Sequence, residues 1–403
     1  MRLSRRWTAF AAVAAAVAAL AVPAATAASP APTPGTRAVP APLLSVRDAI
    51  PGEYIITLTP GADPKTVTDK VGVTPRYVYR SALLGFAAPL TGPQLATVRG
   101  IKSVAAVEQD STVTVPPEER IAARTVRRAG RGTPWGLERI NQQAPNQHGF
   151  SVKSTGGKVT AYVIDSGIEY THPEFGGRAV PGTDQTNPAG NGEDCAGHGT
   201  HVAGTIGGTT TGVARQATLV SVKVLDCTNT GPNSGVIAGM NWVAANAKKP
   251  AVANLSLGGY YSPTMNSAVD GLARSGVFPV VAAGNDNVNA CITSPASASQ
   301  AFTVAATDEN DRKASFSNYG SCVNLNAPGV GITSAYLDNS YADMNGSSMA
   351  APHVTGIAVL YKATHGDVPF ETLKKWLVDN ATPNVPLAAP WGTPRKLAFT
   401  GGL

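Results

Sequence analysis

Charge is scarce in this chain. Only 14% of its 403 residues are Asp, Glu, Lys or Arg, against 43% hydrophobic. That excludes a disordered polyelectrolyte and leaves room for two or three domains with a large core. The net charge of +6 comes from basic residues spread along the sequence. They form no stripe interleaved with aromatics, so no nucleic-acid partner is expected. Cysteine is limited to four residues, Cys195, Cys227, Cys291 and Cys322, with no C-x-x-C pair among them. That spacing argues against a zinc site. An H-E-x-x-H motif is absent too.

Long apolar runs are confined to the N-terminus. "MRLSRRW" is a positive segment, "AFAAVAAAVAALAV" an apolar one, and "ATA" (Ala25 to Ala27) a small-residue cleavage site. This is the pattern of an export signal over residues 1–27. The run is short and alanine-rich and lacks a stop-transfer flank, so a membrane anchor is the poorer reading and no membrane partner is expected. Export makes the mature protein secreted and extracellular. In an oxidising compartment four cysteines read as disulfides, with three connectivities open.

Residues 28–51, with "SPAPTPGTRAVPAPLL", read as a Pro-rich linker. Over residues 52–115 the order is strand ("EYIITLTPG"), helix, two strands, helix with Thr91 as candidate cap, and a closing strand ("VAAVEQDSTVTV"). That order predicts a small ferredoxin-like α+β unit. Residues 116–133, in "PPEERIAARTVRRAGRGTPWG", are too basic and too rich in Gly and Pro to pack. They predict an exposed linker open to proteolytic nicking. Beyond residue 134 apolar runs of strand length ("KVTAYVID", "ATLVSVKVLD", "AVANLSL", "GVFPVVAAG", "AFTVAAT") alternate with helical stretches. Continuous apolarity predicts strands buried on both faces, hence an α/β domain with a mainly parallel sheet covered by helices.

Functional groups in such sheets collect at the carboxyl ends of strands. Asp165 ends "AYVID", His198 and His201 lie in "GHGTHVAGT", Asn285 follows a strand in "AAGNDN", and Ser347 and Ser348 stand in "NGSSMAAPHVTG". A serine hydroxyl becomes a nucleophile when a neutral imidazole takes its proton, and the imidazole needs an acid to fix its tautomer. Asp165, His198 and Ser348 supply these three groups. A metallohydrolase using Asp165, His198 and His201 is the rival reading, and an inactive peptide-binding protein a third.

The motifs "VIDSGIEYTHPEF", "GHGTHVAGTIGG", "NLSLGG", "AAGNDN" and "GSSMAAPHVTG", in this order, resemble the signatures of the subtilisin family, in its proteinase K and aqualysin branch. The resemblance spans roughly residues 134–401, and the unit ahead of it is similar to the family's inhibitory propeptide. It implies a three-layer subtilisin-like catalytic domain over residues 134–403. Asp165 would orient the imidazole, His198 act as base and then acid, Ser348 attack the carbonyl, and Asn285 donate to the oxyanion. Ser256, Leu257 and Gly258 match the segment that pairs with an extended substrate. The implied activity is a secreted endopeptidase working through an acyl-enzyme on protein and peptide substrates. Its specificity would be broad, with an apolar or aromatic preference before the cut. The chain would be an autoprocessed precursor whose propeptide inhibits it and aids its folding, and the enzyme a monomer. The resemblance also implies the pairs Cys195–Cys227 and Cys291–Cys322.

Some positions depart from the family. Ser347 stands in the usual threonine position, and Asn233 where the branch has a tyrosine beside a distant substrate pocket. No cofactor is implied for catalysis. Structural calcium is implied, yet Asn324, and Asn141 with Ala144, stand where carboxylate ligands are common, and no metal site is assigned. His172, His148, His365 and His353 have no carboxylate placed to orient them and read as structural residues, as does His201.

Overall fold

The computed structural model describes residues 39–115, 132–145 and 147–403, all within one compact unit, Val39–Leu403. The export signal, the linker before residue 39 and most of the basic stretch 116–133 lie outside the described residues.

The N-terminal part comprises β1 (Leu43–Leu44), β2 (Ala49–Leu58), α1 (Pro64–Val71), β3 (Tyr77–Tyr79), β4 (Gly85–Pro89), α2 (Gly92–Arg99) and β5 (Val104–Thr114). The sheet order β1-β5-β2-β4-β3 contains the ferredoxin-like arrangement, with the closing strand beside the first. Local chemistry sets the helix ends. Pro64 opens α1, where a missing N–H costs nothing, and Gly72 closes it in a left-handed conformation. Thr91 and Gln94 cap α2 reciprocally as a capping box.

The expected linker is partly folded. Leu43 and Leu44 pair in parallel with Val107 and Glu108, Ala41 is buried against the helices, and β2 begins at Ala49 rather than 52. Proline content misled here because two residues of β1 draw their order from the finished strand β5 and not from their own sequence.

The larger part runs through α3 (Trp135–Asn141), β6 (Thr160–Asp165), β7 (Ala179–Asp184), α4 (His198–Gly207), β8 (Thr218–Lys223), β9 (Thr230–Pro232) and α5 (Asn233–Asn246). It continues with β10 (Ala251–Leu255), β11 (Gly259–Tyr260), α6 (Pro263–Arg274), β12 (Phe278–Ala282), β13 (Thr293–Ser294), β14 (Phe302–Thr307) and β15 (Leu325–Pro328). The remaining elements are β16 (Ile332–Tyr336), β17 (Ser340–Met344), α7 (Ser347–His365), α8 (Phe370–Asn380), β18 (Thr382–Pro383) and β19 (Lys396–Leu397). Nine strands form one sheet in the order β18-β19-β15-β14-β12-β10-β6-β8-β7, parallel except for β18.

Both faces of this sheet are buried, which is why its strands read as unbroken apolar runs. In β6, Ala161 and Val163 enter a core shared with α4 and α7, while Tyr162 and Ile164 enter a second core shared with α5 and α6. A buried ion pair ties α3 to the turn after β14: Arg139 Nε and Nη2 donate to the two Asp311 carboxylate oxygens at 2.7 and 2.9 Å. Among the described residues no helix is long and apolar enough to cross a membrane.

The N-terminal sheet is also buried twice. Ile56, Phe86 and Val107 pack under α1 and α2, whereas Ile55, Tyr79, Ala82 and Val113 join the core of α5 and α6. Two carboxylates of β5 meet helix N-termini, where unpaired N–H groups favour negative charge. Glu108 accepts from Ser262 Oγ, Thr264 Oγ1 and Thr264 N at the start of α6. Asp110 accepts from Ser234 N at 3.1 Å at the start of α5.

Candidate active site

Asp165 is the last residue of β6, an interior strand of the sheet third from the β7 edge, and is fully buried. Its Oδ1 lies 2.7 Å from His198 Nδ1 and also accepts Ser166 N–H at 2.7 Å. A carboxylate on Nδ1 keeps the proton there and leaves Nε2 as the basic nitrogen. His198 is the first residue of α4, and Gly197 before it has φ +90°, with a Cβ there lying 2.4 Å from the Tyr336 ring. Only glycine fits both demands.

Asp194 holds this corner. It accepts Thr200 N–H and hydroxyl, Ala196 and Gly197 N–H, and the Ser166 hydroxyl, and that hydroxyl in turn accepts Gly199 N–H. The carboxylate thus supplies the first turn of α4 with its missing acceptor and links it to the Asp165 turn. Lys223, buried, donates from Nζ to Ser166 O on the same turn.

Ser348 lies in the first turn of α7, which packs on α4 and under β10 and β12. The helix begins at Ser347, two residues before the expected Met349, so Pro352 falls in its second turn. Having no N–H, Pro352 leaves Ser348 O without its helical donor. Ser256 Oγ fills the vacancy at 2.7 Å. A buried chain continues from there: Asn254 Nδ2 donates to Ser256 Oγ at 2.8 Å, and Thr355 Oγ1 to Asn254 Oδ1 at 2.8 Å. The Ser348 hydroxyl donates to Ser256 O at 3.2 Å. Ser347 keeps the hydroxyl role that a threonine would fill, since its Oγ accepts Gly284 N–H at 2.9 Å. Asn285 Oδ1 accepts Ser347 N–H at 2.8 Å, which makes Nδ2 the donor end of its amide.

Ser348, Asn285, Leu257 and Gly258 line one cavity of about 650 Å³. Ala282, Ala283, Gly284, Val288 and Ala296 give part of its wall a small, apolar lining, and Arg47, Tyr260 and Asp286 line it elsewhere. The end of β5 runs past it. Thr112, Val113 and Thr114 pair antiparallel with Pro232, Gly231 and Thr230 of β9, and Val115 N–H reaches Asn229 O at 3.1 Å. An extended segment is therefore already added to the edge at β9, with Val113 and Val115 buried and Thr112 and Thr114 facing out.

The chain resembles known proteins over most of its length. The subtilase family profile matches residues 156–396, over half of the chain. The chain belongs to the subtilase family. It is thereby a serine protease, and residues 57–116 match the peptidase inhibitor I9 family, so the subtilase carries its own inhibitor-type propeptide. An extracellular serine proteinase of Thermus sp. (strain Rt41A) is 41% identical over 397 residues, covering 92% of this chain and 94% of the relative. A cuticle-degrading protease of Metarhizium anisopliae is 40% identical over 380 residues, covering 92% and 95%. The crystal structure of a cold adapted subtilisin-like serine proteinase matches with a TM-score of 0.66 and 46% identity, covering 67% of this chain and 98% of that one.

The other histidines of the subtilase occupy structural positions. His201 Nε2 lies 2.9 and 3.0 Å from Ile332 O and Ala342 O, and burial lowers its pKa to about 3. His353 Nδ1 meets Met349 O at 2.9 Å, and burial lowers its pKa to about 4. His172 bonds Ser340 O, His148 pairs with Glu138, and His365 stacks on Tyr361. A His198–His201 metal pair is not formed, because His201 Nε2 faces those two carbonyls.

The cysteines join as Cys195–Cys227 and Cys291–Cys322. The first bridge sits three residues before His198. At the two places where calcium ligands are common in the family, the side chains are engaged in hydrogen bonds. Asn324 Oδ1 already accepts Thr303 N–H at 2.7 Å. Asn141 Oδ1 accepts Ser151 N–H, while its Nδ2 bonds Ser151 O and Thr400 Oγ1. These uncharged oxygens hold the loops by hydrogen bonds, and no cluster of three or more His, Cys, Asp or Glu able to hold a metal occurs among the described residues. Asn233, buried at the start of α5, donates to Ser111 Oγ of the propeptide at 2.7 Å.

Sequence reasoning passed over Asp194, Asn254 and Thr355. Asp194 was visible as the first acid of "DCAGHGTH", four residues before the histidine. Asn254 opens "NLSLGG" and Thr355 lies in "GSSMAAPHVTG", but their contact was not legible, since 101 positions separate them.

Proposed function

We propose that the protein is a secreted, autoprocessed serine endopeptidase whose catalytic groups are Asp165, His198, Ser348 and Asn285. The observation that carries this reading is the buried 2.7 Å bond from Asp165 to His198 Nδ1. It orients the His198 ring on α4, the helix against which α7, the helix of Ser348, packs.

His198 Nε2 takes the Ser348 Oγ proton as Oγ bonds to the substrate carbonyl carbon, and Asp165 stabilises the imidazolium. The negative oxygen is met by Asn285 Nδ2 and Ser348 N–H at the positive end of α7. The C–N bond then breaks, the imidazolium protonates the leaving amine, and an acyl-enzyme remains. Water, deprotonated by the same imidazole, attacks the ester and restores Ser348.

Ser256, Leu257 and Gly258 would form one wall for an extended substrate and β9 the other. The small apolar stretch of the cavity wall at Ala282, Ala283, Gly284, Val288 and Ala296 supports a preference for apolar or aromatic side chains before the cut, with broad tolerance elsewhere. The position of β5 on β9 supports a propeptide that inhibits its own enzyme and is cut within residues 116–133. The extracellular relatives and two disulfides support secretion. A monomer is proposed as the working form.

The decisive experiment is Ser348→Ala in the full chain. It should yield unprocessed precursor with no peptidase activity. Asn285→Ala should process slowly and lose about 10²–10³ in kcat, the range known for the subtilisin oxyanion asparagine. Processing of purified Ser348→Ala in isolation would refute self-cleavage by this serine.

A further inference from the structure

Tyr260 projects from β11 beside the cleft and is 45% exposed, and Ile292 on the same rim is 59% exposed. Large apolar side chains left open at a binding groove mark a place where something docks. The propeptide shows what kind of group that is. Arg47, just ahead of β2, lays its guanidinium over the Tyr260 ring, 4.5 Å from the centroid. Arg47 lines the same cavity as Ser348 and Asn285, and so do Thr112 and Thr114, the outward-facing residues of the strand on β9. Asp286 also lines that cavity. When the propeptide leaves, Arg47 leaves with it, while the aromatic face and Asp286 stay with the enzyme.

We propose that Tyr260 is a specificity-determining residue that receives a basic side chain of the substrate, upstream of the scissile bond, in the place Arg47 occupies in the precursor. This rests on the serine endopeptidase reading and adds a substrate class to it: proteins with arginine or lysine a few residues before an apolar cleavage position. The alternation of the bound strand gives the reading its register. Side chains in the places of Val113 and Val115 point into the core, whereas those in the places of Thr112 and Thr114 line the cavity that Tyr260 also lines. A cation should therefore be favoured at two positions that are two residues apart, and not at the position between them. Arginine should exceed lysine, because its planar guanidinium stacks on a ring as well as carrying charge.

The test uses the processed enzyme obtained from the full chain and a set of fluorogenic peptides of constant apolar cleavage site. One arginine is moved through the six upstream positions of an otherwise alanine flank, with citrulline as its neutral isostere. For the wild type, kcat/KM should rise roughly threefold to tenfold over the alanine peptide at the outward-facing positions, with citrulline giving much less. Tyr260→Ala should bring the arginine-to-alanine ratio close to one, and Tyr260→Phe, which keeps the ring, should retain it. If alanine peptides are cleaved but no position shows a Tyr260-dependent ratio, Arg47 stacking serves the propeptide alone and the proposal falls. If the wild type cleaves none of the peptides, the endopeptidase reading fails, and this one with it.

Discussion

Gly271 sits in the interior of α6 with ordinary helical geometry, so nothing in its own backbone calls for glycine. A Cβ there would lie 1.7 Å from Ala82 O, 2.6 Å from Ala82 C and 3.0 Å from Ala82 Cα. These three nearest atoms all belong to the propeptide. Gly271→Ala therefore has opposite effects on the two parts. In the freed enzyme it replaces a poor helix former by the best one, a gain of about 1 kcal/mol. In the precursor Ala82 must retreat by on the order of 1 Å from a close-packed contact. The retreat pulls on Asn241 Oδ1, which accepts Arg80, Ser81 and Ala82 N–H at 2.9, 2.7 and 3.3 Å. Overpacking of this kind costs about 1–3 kcal/mol, which corresponds to roughly 5- to 150-fold in affinity.

The assay is inhibition of processed enzyme by the propeptide supplied in trans, with enzyme concentration set by titration with a serine-directed label so that a poor yield does not enter the constant. Gly271→Ala should raise the inhibition constant by that factor, with an equal or higher Tm for the enzyme alone. An unchanged inhibition constant would show that the close approach of Ala82 contributes nothing to holding the propeptide, and would refute the steric reasoning.

Two further outcomes concern the catalytic domain. Thr355→Val keeps the shape but removes the donor to buried Asn254 Oδ1, so it should cost about 1–3 kcal/mol in thermal stability. It should also lower kcat by loosening Ser256 and the Ser348 carbonyl it holds, and full activity and unchanged Tm together would disprove the role of this chain. His201 and His353 are neutral in the fold, with pKa values lowered by burial to about 3 and about 4, and protonate near 6.5 once unfolded. The unfolded state thus binds more protons below pH 6.5. Stability should be fully present above that value and fall towards pH 4 by up to about 1.4 kcal/mol per unit for each group. Calorimetry of the inhibited enzyme from pH 8 to 4 checks the slope, and a slope that His353→Gln leaves unaltered would count against it.

The α/β architecture was legible because its signal is physical and local. Strands buried on both faces must be apolar throughout, and β6, β10, β12 and β14 are. The strand order was not legible, since periodicity describes a strand's environment and not its neighbour. Nor was β1, two residues long and set in a Pro-rich stretch. The motif order pointed to Asp165, His198, Asn285 and Ser348 through their family resemblance, and the structure brings Asp165 against His198 and Asn285 against Ser347. What supports them was less visible, because Asp194, Asn254 and Thr355 look like any turn acid, strand amide or helix hydroxyl until the chain is folded.

Pro352 shows why such support escapes sequence reading. Seen alone, a proline shortly after a candidate nucleophile suggests a helix start, where it is harmless. The helix in fact starts earlier, so the proline removes one hydrogen bond, and the carbonyl it strips is that of Ser348 itself. Left empty and buried, that carbonyl would cost about 1–3 kcal/mol. Ser256 takes the place of the missing donor and is oriented by Asn254 and Thr355, one from a sheet strand and one from a helix. The defect thereby fastens the candidate nucleophile's backbone to the segment proposed to bind substrate. With an N–H at position 352 the helix would satisfy that carbonyl internally, and the Ser256 hydroxyl would not be needed there. The proline and the three polar residues form one arrangement, and its parts gain meaning only together.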